Sequence, residues 1–552
     1  MGIKRNKIYA AMIGLLAAVA PTSVLANKNA EVSRNLEIYS TLLRELDMFY
    51  VDTFSVEKTV ETGINAMLNK IDPYTMYIPE REMDDLKFMT TGTYAGVGSV
   101  ISQRDSLVII QEVYENSPSH KYGLKAGDVI LSVDGEKVVG STTSDVSKKL
   151  RGVAGTSVKV VVKRADKEVT LNIVRDNITI SSVNLAKKIG EDIGYIHLTG
   201  FTTGTADIFK TELKRLKQSG IKGLIIDLRS NPGGILSEAV DIVGCFVEKG
   251  TKVVYTKSKV KEWDETFSTT KDPVDLEIPI VVMVNGESAS AAEIVSGALQ
   301  DLDRAVILGE RTYGKGLVQT SRSLPFGGSL KLTISKYHIP SGRCIQAIDY
   351  ARTREEGKKF VIPDSLTHEF KTKNGRIVKD GCGVMPDTVY TGDSVPAQIV
   401  YQLYVKNIVF DYCTKWASEH PTIPSIQDFK FTDWQDFKNF VVSKDFSYKT
   451  DKEKLFDALV EKAKKDSTYE AAKQQYDALQ MALFRCQDEE LDKNKEDIIR
   501  LISTDLAQRY YFQKGASEEN LKYDKETKKA SEILHDKKAY DAILSTPKKS
   551  SK

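Results

Sequence analysis

Gly286-Glu287-Ser288-Ala289-Ser290-Ala291-Ala292-Glu293 follows the apolar run Ile280-Val281-Val282-Met283-Val284 and leads into a helical pattern, Ile294, Val295, Ala298 and Leu299. The apolar run reads as a strand. Ser290 is thereby placed at a helix N-terminus, where unpaired backbone N–H groups favour a developing negative charge. Lys315, held between Gly314 and Gly316, comes soon after in a loop able to fold back. Together these residues read as a serine nucleophile, an oxyanion site and a lysine base.

Each part also has a plainer reading. Ser290-x-x-Glu293 is a capping box, which needs no catalysis, and a loop lysine is ordinarily just solvated. The segment Gly309 to Lys315 imitates the start of a phosphate-binding loop. That motif requires Ser or Thr next, and then a helix. Here Gly316 follows, and Leu317-Val318-Gln319-Thr320 reads as extended. Gly286-x-Ser288-x-Ser290 lacks the last glycine of the G-x-S-x-G nucleophile elbow.

The combination is more specific. Ala289 to Ile294, then Ser296-Gly297-Ala298-Leu299-Gln300-Asp301, then Thr312-Tyr313-Gly314-Lys315-Gly316-Leu317-Val318-Gln319 closely resemble the carboxyl-terminal processing proteases (tail-specific proteases, peptidase family S41). The family pattern is roughly S-A-S-E-I, a helix ending G-A-L-Q-D, then T-x-G-K-G-x-x-Q. The resemblance implies Ser290 as nucleophile, Lys315 as general base and Gln319 as the residue orienting the lysine. Ala292 departs from the family's usual serine, at a position that is not catalytic. A second family motif is Asp227-Leu228-Arg229-Ser230-Asn231-Pro232-Gly233-Gly234. By the same resemblance, the Gly233 and Gly234 amides face the nucleophile and join the Ala291 N–H in an oxyanion hole.

Composition fits an exported enzyme. Met1 to Ala26 reads as a secretory signal peptide, with Lys4, Arg5 and Lys7, an apolar stretch from Tyr9 to Ala20, and small residues at Val24-Leu25-Ala26. The expected location is periplasmic or otherwise extracytoplasmic after cleavage near Ala26. The chain has 552 residues, enough for several domains, with 78 Lys plus Arg against 76 Asp plus Glu. That balance argues against nucleic-acid binding driven by net charge. Cys245, Cys344, Cys382, Cys413 and Cys486 are an odd set with no C-x-x-C spacing, so no metal site is expected. No cofactor is expected either.

The expected fold class is α/β and multidomain. By resemblance, the signal peptide (1–26) is expected to be followed by N-terminal helices (27–90), a PDZ β domain (91–176), a crotonase-like α/β serine protease core (177–395) and a C-terminal all-α extension (396–552). Leu36, Tyr39, Leu43, Leu46 and Tyr50 recur at helical spacing, and a second helix through Val60, Ile64, Met67 and Leu68 stops at Asp72-Pro73. In the PDZ segment, Tyr94-Ala95-Gly96-Val97-Gly98 resembles a carboxylate-binding loop, whose amides would capture a peptide terminus. Thr143 to Leu150 reads as the helix walling the groove. In the core, an insertion from Ala347 to Cys382 reads as a polar surface hairpin or lid. Beyond Pro396 amphipathic helices follow, including one with a capping box at Thr432-Asp433-Trp434-Gln435.

The expected partners are protein or peptide substrates with free C-termini. A homo-oligomer contact through the N- or C-terminal helices and an activating partner are open roles. Two chemical alternatives also stay open: a Ser-His hydrolase using His197 or His338, and an acyl-CoA enzyme of crotonase type, against which the PDZ segment and signal peptide argue. A third alternative is an inactive PDZ adaptor.

Overall fold

The computed structural model describes residues 29–392, 396–483 and 487–545. The expected signal peptide and Cys486 lie outside the described residues. The chain divides into two compact units, one reaching to Pro79 with Ser321–Leu332, the other comprising Glu80–Thr320 and the chain from Thr333 onward.

The smaller unit holds helix α1 (29–49), α2 (Val56–Asn69) and strand β1 (Met76–Ile78). The Ser55 hydroxyl caps α2 by accepting the Lys58 N–H. Beyond it, the Asp72 carboxylate accepts the N–H groups of Tyr74 and Thr75, which sets the turn into β1. The apolar residues of α1 remain at the surface, with Leu36 63% and Phe49 73% exposed.

The larger unit opens with α3 (Met83–Thr91) and continues into the PDZ segment: β2 (Thr93–Gly96), β3 (Ser99–Arg104), β4 (Leu107–Val113), α4 (Pro118–Lys121), β5 (Val129–Val133), β6 (Glu136–Lys137), α5 (Thr143–Leu150), β7 (Ser157–Arg164), β8 (Lys167–Val174) and β9 (Asp176–Thr179). The sheet order is β3-β4-β5-β7-β8, with β3 at the edge and β6 on β5. Alternate residues Val158, Val160 and Val162 point into its core with Val108, Ile110 and Ile130. The helix expected over Thr143 to Leu150 is α5, capped by Thr142. The expected carboxylate loop needs correction. Tyr94, Ala95 and Gly96 are strand residues paired with Ile178, Asn177 and Asp176. Val97 and Gly98 alone form the bend into β3.

The core follows with β10 (Val183–Ile189), β11 (Ile193–Leu198), α6 (Thr205–Gln218), β12 (Gly223–Asp227), α7 (Leu236–Val243), β13 (Lys252–Ser258), β14 (Thr266–Ser268), β15 (Ile280–Val284), α8 (Ala291–Asp301), β16 (Val306–Gly309), β17 (Leu317–Ser323), β18 (Ser329–His338), α9 (Tyr350–Glu356), β19 (Glu369–Lys371), β20 (Ile377–Lys379) and β21 (Thr388–Val389). A six-stranded sheet runs β10-β11-β12-β15-β16-β21, parallel except at β10. Its inner strands β12, β15 and β16 are nearly continuous apolar runs because both their faces are covered. Leu224, Ile226, Ile280, Val282 and Val284 pack under α6, α7 and α8. The alternate residues Ile225, Val281 and Met283 pack on the opposite face against Ala530, Ile533, Leu534 and Tyr540.

The second layer comes from the C-terminal region. Helices α10 (Gln398–Val405), α11 (Ile408–Glu419), α12 (Trp434–Ser443), α13 (Asp451–Lys465), α14 (Lys473–Leu483), α15 (Gln487–Lys493) and α16 (Lys495–Leu521) precede α17 (Lys525–His535) and α18 (Lys537–Leu544). Several of the earlier helices share their own core around Leu403, Tyr412, Phe437, Ile498 and Leu506. They also grip the PDZ domain: Arg104 pairs with Asp411 at 2.5 Å, and Arg104 and Arg509 both stack on Phe410. Helices α17 and α18 close the sheet, and the Tyr540 hydroxyl accepts the Ile280 N–H at 3.0 Å. The expected capping box at Thr432 does not form: the helix starts one residue later, with Asp433 at its N-cap, and the Thr432 hydroxyl donates to Asp433 Oδ1. A capping box forms at Thr450 and Glu453.

The insertion is an anchored hairpin rather than a free lid. Strands β19 and β20 pair antiparallel. Arg376 beside them joins Asp303 at 2.7 Å and Asp387 at 2.5 Å, near the end of α8.

Candidate active site

Ser290 ends the β15-to-α8 turn with φ 56° and ψ −114°. A non-glycine residue there is strained, and such strain persists where the surroundings over-determine it. The chain thus makes an elbow at its serine without the glycine pattern of the α/β-hydrolase motif. Ser288, by contrast, is fully buried and structural: its hydroxyl donates to Leu228 O at 2.7 Å and accepts the Asn285 N–H.

Glu293, in the first turn of α8, is completely buried. Its Oε2 accepts the Ser290 N–H at 2.8 Å and the Lys315 N–H at 2.9 Å. Its Oε1 accepts the Gly314 N–H at 2.7 Å and the Thr312 hydroxyl at 2.5 Å. One carboxylate oxygen therefore holds the backbones of both Ser290 and Lys315. Burial pushes the Glu293 pKa upward, and the four donors oppose that rise. From the other side, the buried Tyr337 hydroxyl reaches Lys315 O at 2.8 Å and Ser290 O at 3.1 Å.

The lysine loop has room only for glycine. A Cβ on Gly316 would lie 2.8 Å from the Gln346 nitrogen. The Gly316 N–H donates to Gln346 Oε1 at 2.7 Å, and Gly314 O accepts the Ala347 N–H. The root of the insertion thus braces the loop. The half-buried Lys315 leads into β17, which is extended as expected. Gln319 on β17 donates its amide to the Thr333 hydroxyl at 3.2 Å.

The glycine motif after β12 lies against the serine. A Cβ on Gly233 would sit 2.8 Å from both the Ala291 nitrogen and the Ser290 Cβ. The Gly233 N–H is itself donated to Asn231 Oδ1 at 2.8 Å. The Gly233 N–H is thus already taken, against its expected part as an oxyanion donor, and Gly233 provides the close approach to Ser290. Asn231 O accepts the Ala289 N–H at 2.9 Å, which ties the motif to the residue before the serine.

Of the two histidines considered as bases, His197 lies on β11 opposite Asp227, on the sheet face of Tyr195 that α17 covers rather than that of α8. Burial lowers its pKa. His338 stacks on Tyr255, and its Nδ1 shares a hydrogen bond with Gly342 O. The PDZ residues expected to bind peptide stand apart from this centre, Tyr94 against Arg151 and Phe88.

A charge cluster behind the glycine motif joins that motif's Asp227 and Arg229 to Asp524 and Glu526, which carried no sequence signal. Asp227 is bound by Arg229 through Nε at 3.0 Å and Nη2 at 2.6 Å, and accepts the Tyr195 hydroxyl at 2.7 Å. Burial alone would raise its pKa, but Arg229 holds it below the ordinary value. Arg229 also binds Asp524 at 2.6 Å and Glu526 at 2.9 Å, both from the start of α17. Burial pushes Glu526 up to about 7. Tyr337, Thr312 and Gln346 were likewise missed, whereas Glu293 was visible as half of a capping box. Among the described residues no group of His, Cys, Asp and Glu could hold a metal ion.

The profile of peptidase family S41 matches residues 192–353, a PDZ domain profile matches 109–164, and one described as "Probable PDZ-protease, C-terminal helical domain" matches 399–534. A carboxy-terminal-processing protease of Bartonella bacilliformis is 33% identical over 336 residues, which span 60% of this chain and 77% of that one. This chain belongs to peptidase family S41. A probable CtpA-like serine protease of Staphylococcus epidermidis is 30% identical over 384 residues, covering 68% of this chain and 77% of its own. A solved photosystem II D1 C-terminal processing protease is 27% identical, covers 65% of this chain and 88% of its own, and has a TM-score of 0.35. This S41 chain is a serine-type C-terminal processing peptidase with a PDZ domain.

Glu293→Ala in this S41 peptidase leaves three backbone N–H groups and one hydroxyl buried without their acceptor. The expected loss is about 3 kcal/mol or more, since each orphaned donor costs roughly 1–3 kcal/mol. Calorimetry should show that loss together with loss of peptidase activity, and an unchanged Tm would contradict the role of Glu293 as anchor.

Glu526 gives a pH dependence. Its folded pKa is raised above the unfolded carboxyl value, so its favourable contribution is complete below the unfolded pKa and is lost as pH rises through about 7. Glu526→Gln, which cannot ionise, should gain Tm relative to wild type as pH goes from about 5 to about 8. A difference flat with pH would show that Glu526 is ionised throughout.

Proposed function

We propose that this peptidase is exported, captures free C-termini of protein substrates on its PDZ domain, and cleaves them with Ser290 as nucleophile, Lys315 as general base and Gln319 orienting the lysine. The observation that carries this reading is the single Glu293 oxygen that accepts the N–H groups of both Ser290 and Lys315. Lys315 in its neutral form takes the proton of the Ser290 hydroxyl as the oxygen attacks the scissile carbonyl. The Ala291 and Gly234 N–H groups face the developing oxyanion. The protonated lysine returns its proton to the leaving amine, and an acyl-enzyme remains on Ser290. Water, deprotonated by the same lysine, then releases the new C-terminus.

Export is supported by the positive and apolar stretches before Ala26. Capture of C-termini is supported by the edge position of β3 beside the Val97–Gly98 bend, and a solved PDZ domain of a Vibrio cholerae carboxy-terminal protease was determined with a peptide. The uncovered apolar residues of α1 support pairing with a second copy.

Ser290→Ala should lower cleavage of an unfolded reporter by at least about 10³-fold with an unchanged far-UV spectrum. Lys315→Arg should be inactive as well, because arginine keeps its proton at any working pH. Wild-type cleavage by Lys315→Arg would make the lysine structural, and failure of an active-site fluorophosphonate to label the wild type would favour an inactive adaptor.

The PDZ reading has its own test. A peptide with a free C-terminus should bind the full-length Ser290→Ala protein about tenfold or more tightly than its amidated twin, since each charge-assisted hydrogen bond is worth roughly 1.5–3 kcal/mol. Equal affinities by calorimetry would rule out recognition of the terminal carboxylate.

A further inference from the structure

The Arg229 guanidinium is held along every edge. Asp227 takes Nε and Nη2, Asp524 takes Nη2 at 2.6 Å, and Glu526 takes Nη1 at 2.9 Å. The first of these carboxylates belongs to the peptidase core and the other two to the C-terminal helical region, outside the stretch that matches the peptidase family. Asp524 is also the N-cap of α17, accepting the Thr527 N–H at 3.0 Å and the Thr527 hydroxyl at 2.8 Å. It is therefore rigid before it meets the arginine. Helix α17 is in turn fixed on the sheet by Ala530, Ile533 and Leu534.

From Arg229 the chain runs directly into the centre. Leu228 O accepts the Ser288 hydroxyl at 2.7 Å, Asn231 O accepts the Ala289 N–H at 2.9 Å, and Gly233 lies against Ser290. Ser230 between them has φ 55°, so this segment is itself strained and needs outside support. All three carboxylates bind the Arg229 guanidinium, and through it they bear on the backbone that leads to Ser290.

We propose that Asp524, assisted by Glu526, is a positioning residue for catalysis: from the C-terminal helical region it holds Arg229, and through Arg229 it keeps the Gly233–Gly234 segment in register with Ser290. The C-terminal region then does more than cover the sheet, because it sets the geometry of the amides that face the oxyanion. The inference rests on the proposed role of Ser290 and the glycine segment.

The test is Asp524→Asn in the full chain. Asparagine still caps α17, since its Oδ1 can accept the Thr527 N–H, but its amide replaces the oxygen that meets Arg229. The comparison variant is Leu534→Ala, which loosens α17 on the sheet without touching the cluster. Both are assayed well below their Tm on a peptide substrate, beside wild type and Ser290→Ala. The expected result is a fall in kcat of about tenfold or more for Asp524→Asn, with KM nearly unchanged, because a displaced oxyanion donor weakens the transition state alone. Affinity for a peptide boronate should fall in parallel, while Leu534→Ala keeps wild-type kcat. Wild-type kcat in Asp524→Asn, or an equal fall in Leu534→Ala, would overturn the proposal and leave the cluster a structural ion pair. Full activity in Ser290→Ala would instead overturn the catalytic reading on which it rests.

Discussion

A buried carboxylate with four donors organises the catalytic centre. Glu293 has no route to water, so the N–H groups of Ser290, Gly314 and Lys315 and the Thr312 hydroxyl are its solvation. Buried charge is tolerated only when it is fully hydrogen-bonded. The converse also holds: the loop and the helix start cannot separate without stranding that charge. The helix start and the lysine loop thus become one rigid element, which is what the proposed nucleophile and base require. Tyr337 repeats the arrangement for the carbonyls of the same two residues.

This centre stands at the ends of strands whose two faces are both buried. Alternate side chains of β12 and β15 serve different layers, α6 to α8 on one side and α17 to α18 on the other. Burying such side chains is worth roughly 1.5–3 kcal/mol each, so the C-terminal helices are part of the stability of the peptidase sheet. The same C-terminal region grips the PDZ domain through Arg104, Phe410 and Arg509. Substrate-binding and catalytic segments therefore share a support that the peptidase motifs alone do not reveal.

Much of this was legible in sequence because it depends on local chemistry. The apolar run before Ser290, the glycines around Lys315 and the Asp-Pro stop after α2 each act over a few residues. Glu293 was half legible: its capping bond to Ser290 is local, but its three bonds to the lysine loop are long-range. The Arg229 cluster was illegible, since nothing near Asp524 in sequence indicates an arginine so far upstream. The capping box at Thr432 failed by a shift of one residue: α12 starts with Asp433 at its N-cap, and the Thr432 hydroxyl turns to the Asp433 carboxylate. Tyr94 to Gly96 read as loop from their resemblance to a carboxylate-binding loop, yet they pair with β9 as a strand.

The central claim is that Ser290 is made nucleophilic by Lys315. It is tested most directly by the rate and site of modification by a fluorophosphonate, mapped by mass spectrometry on the intact protein and on Lys315→Met. The account predicts a single adduct on Ser290, formed faster as pH rises, with the rate collapsing in Lys315→Met while the fold is retained. An adduct on another serine, or an equal rate without the lysine amine, would contradict it.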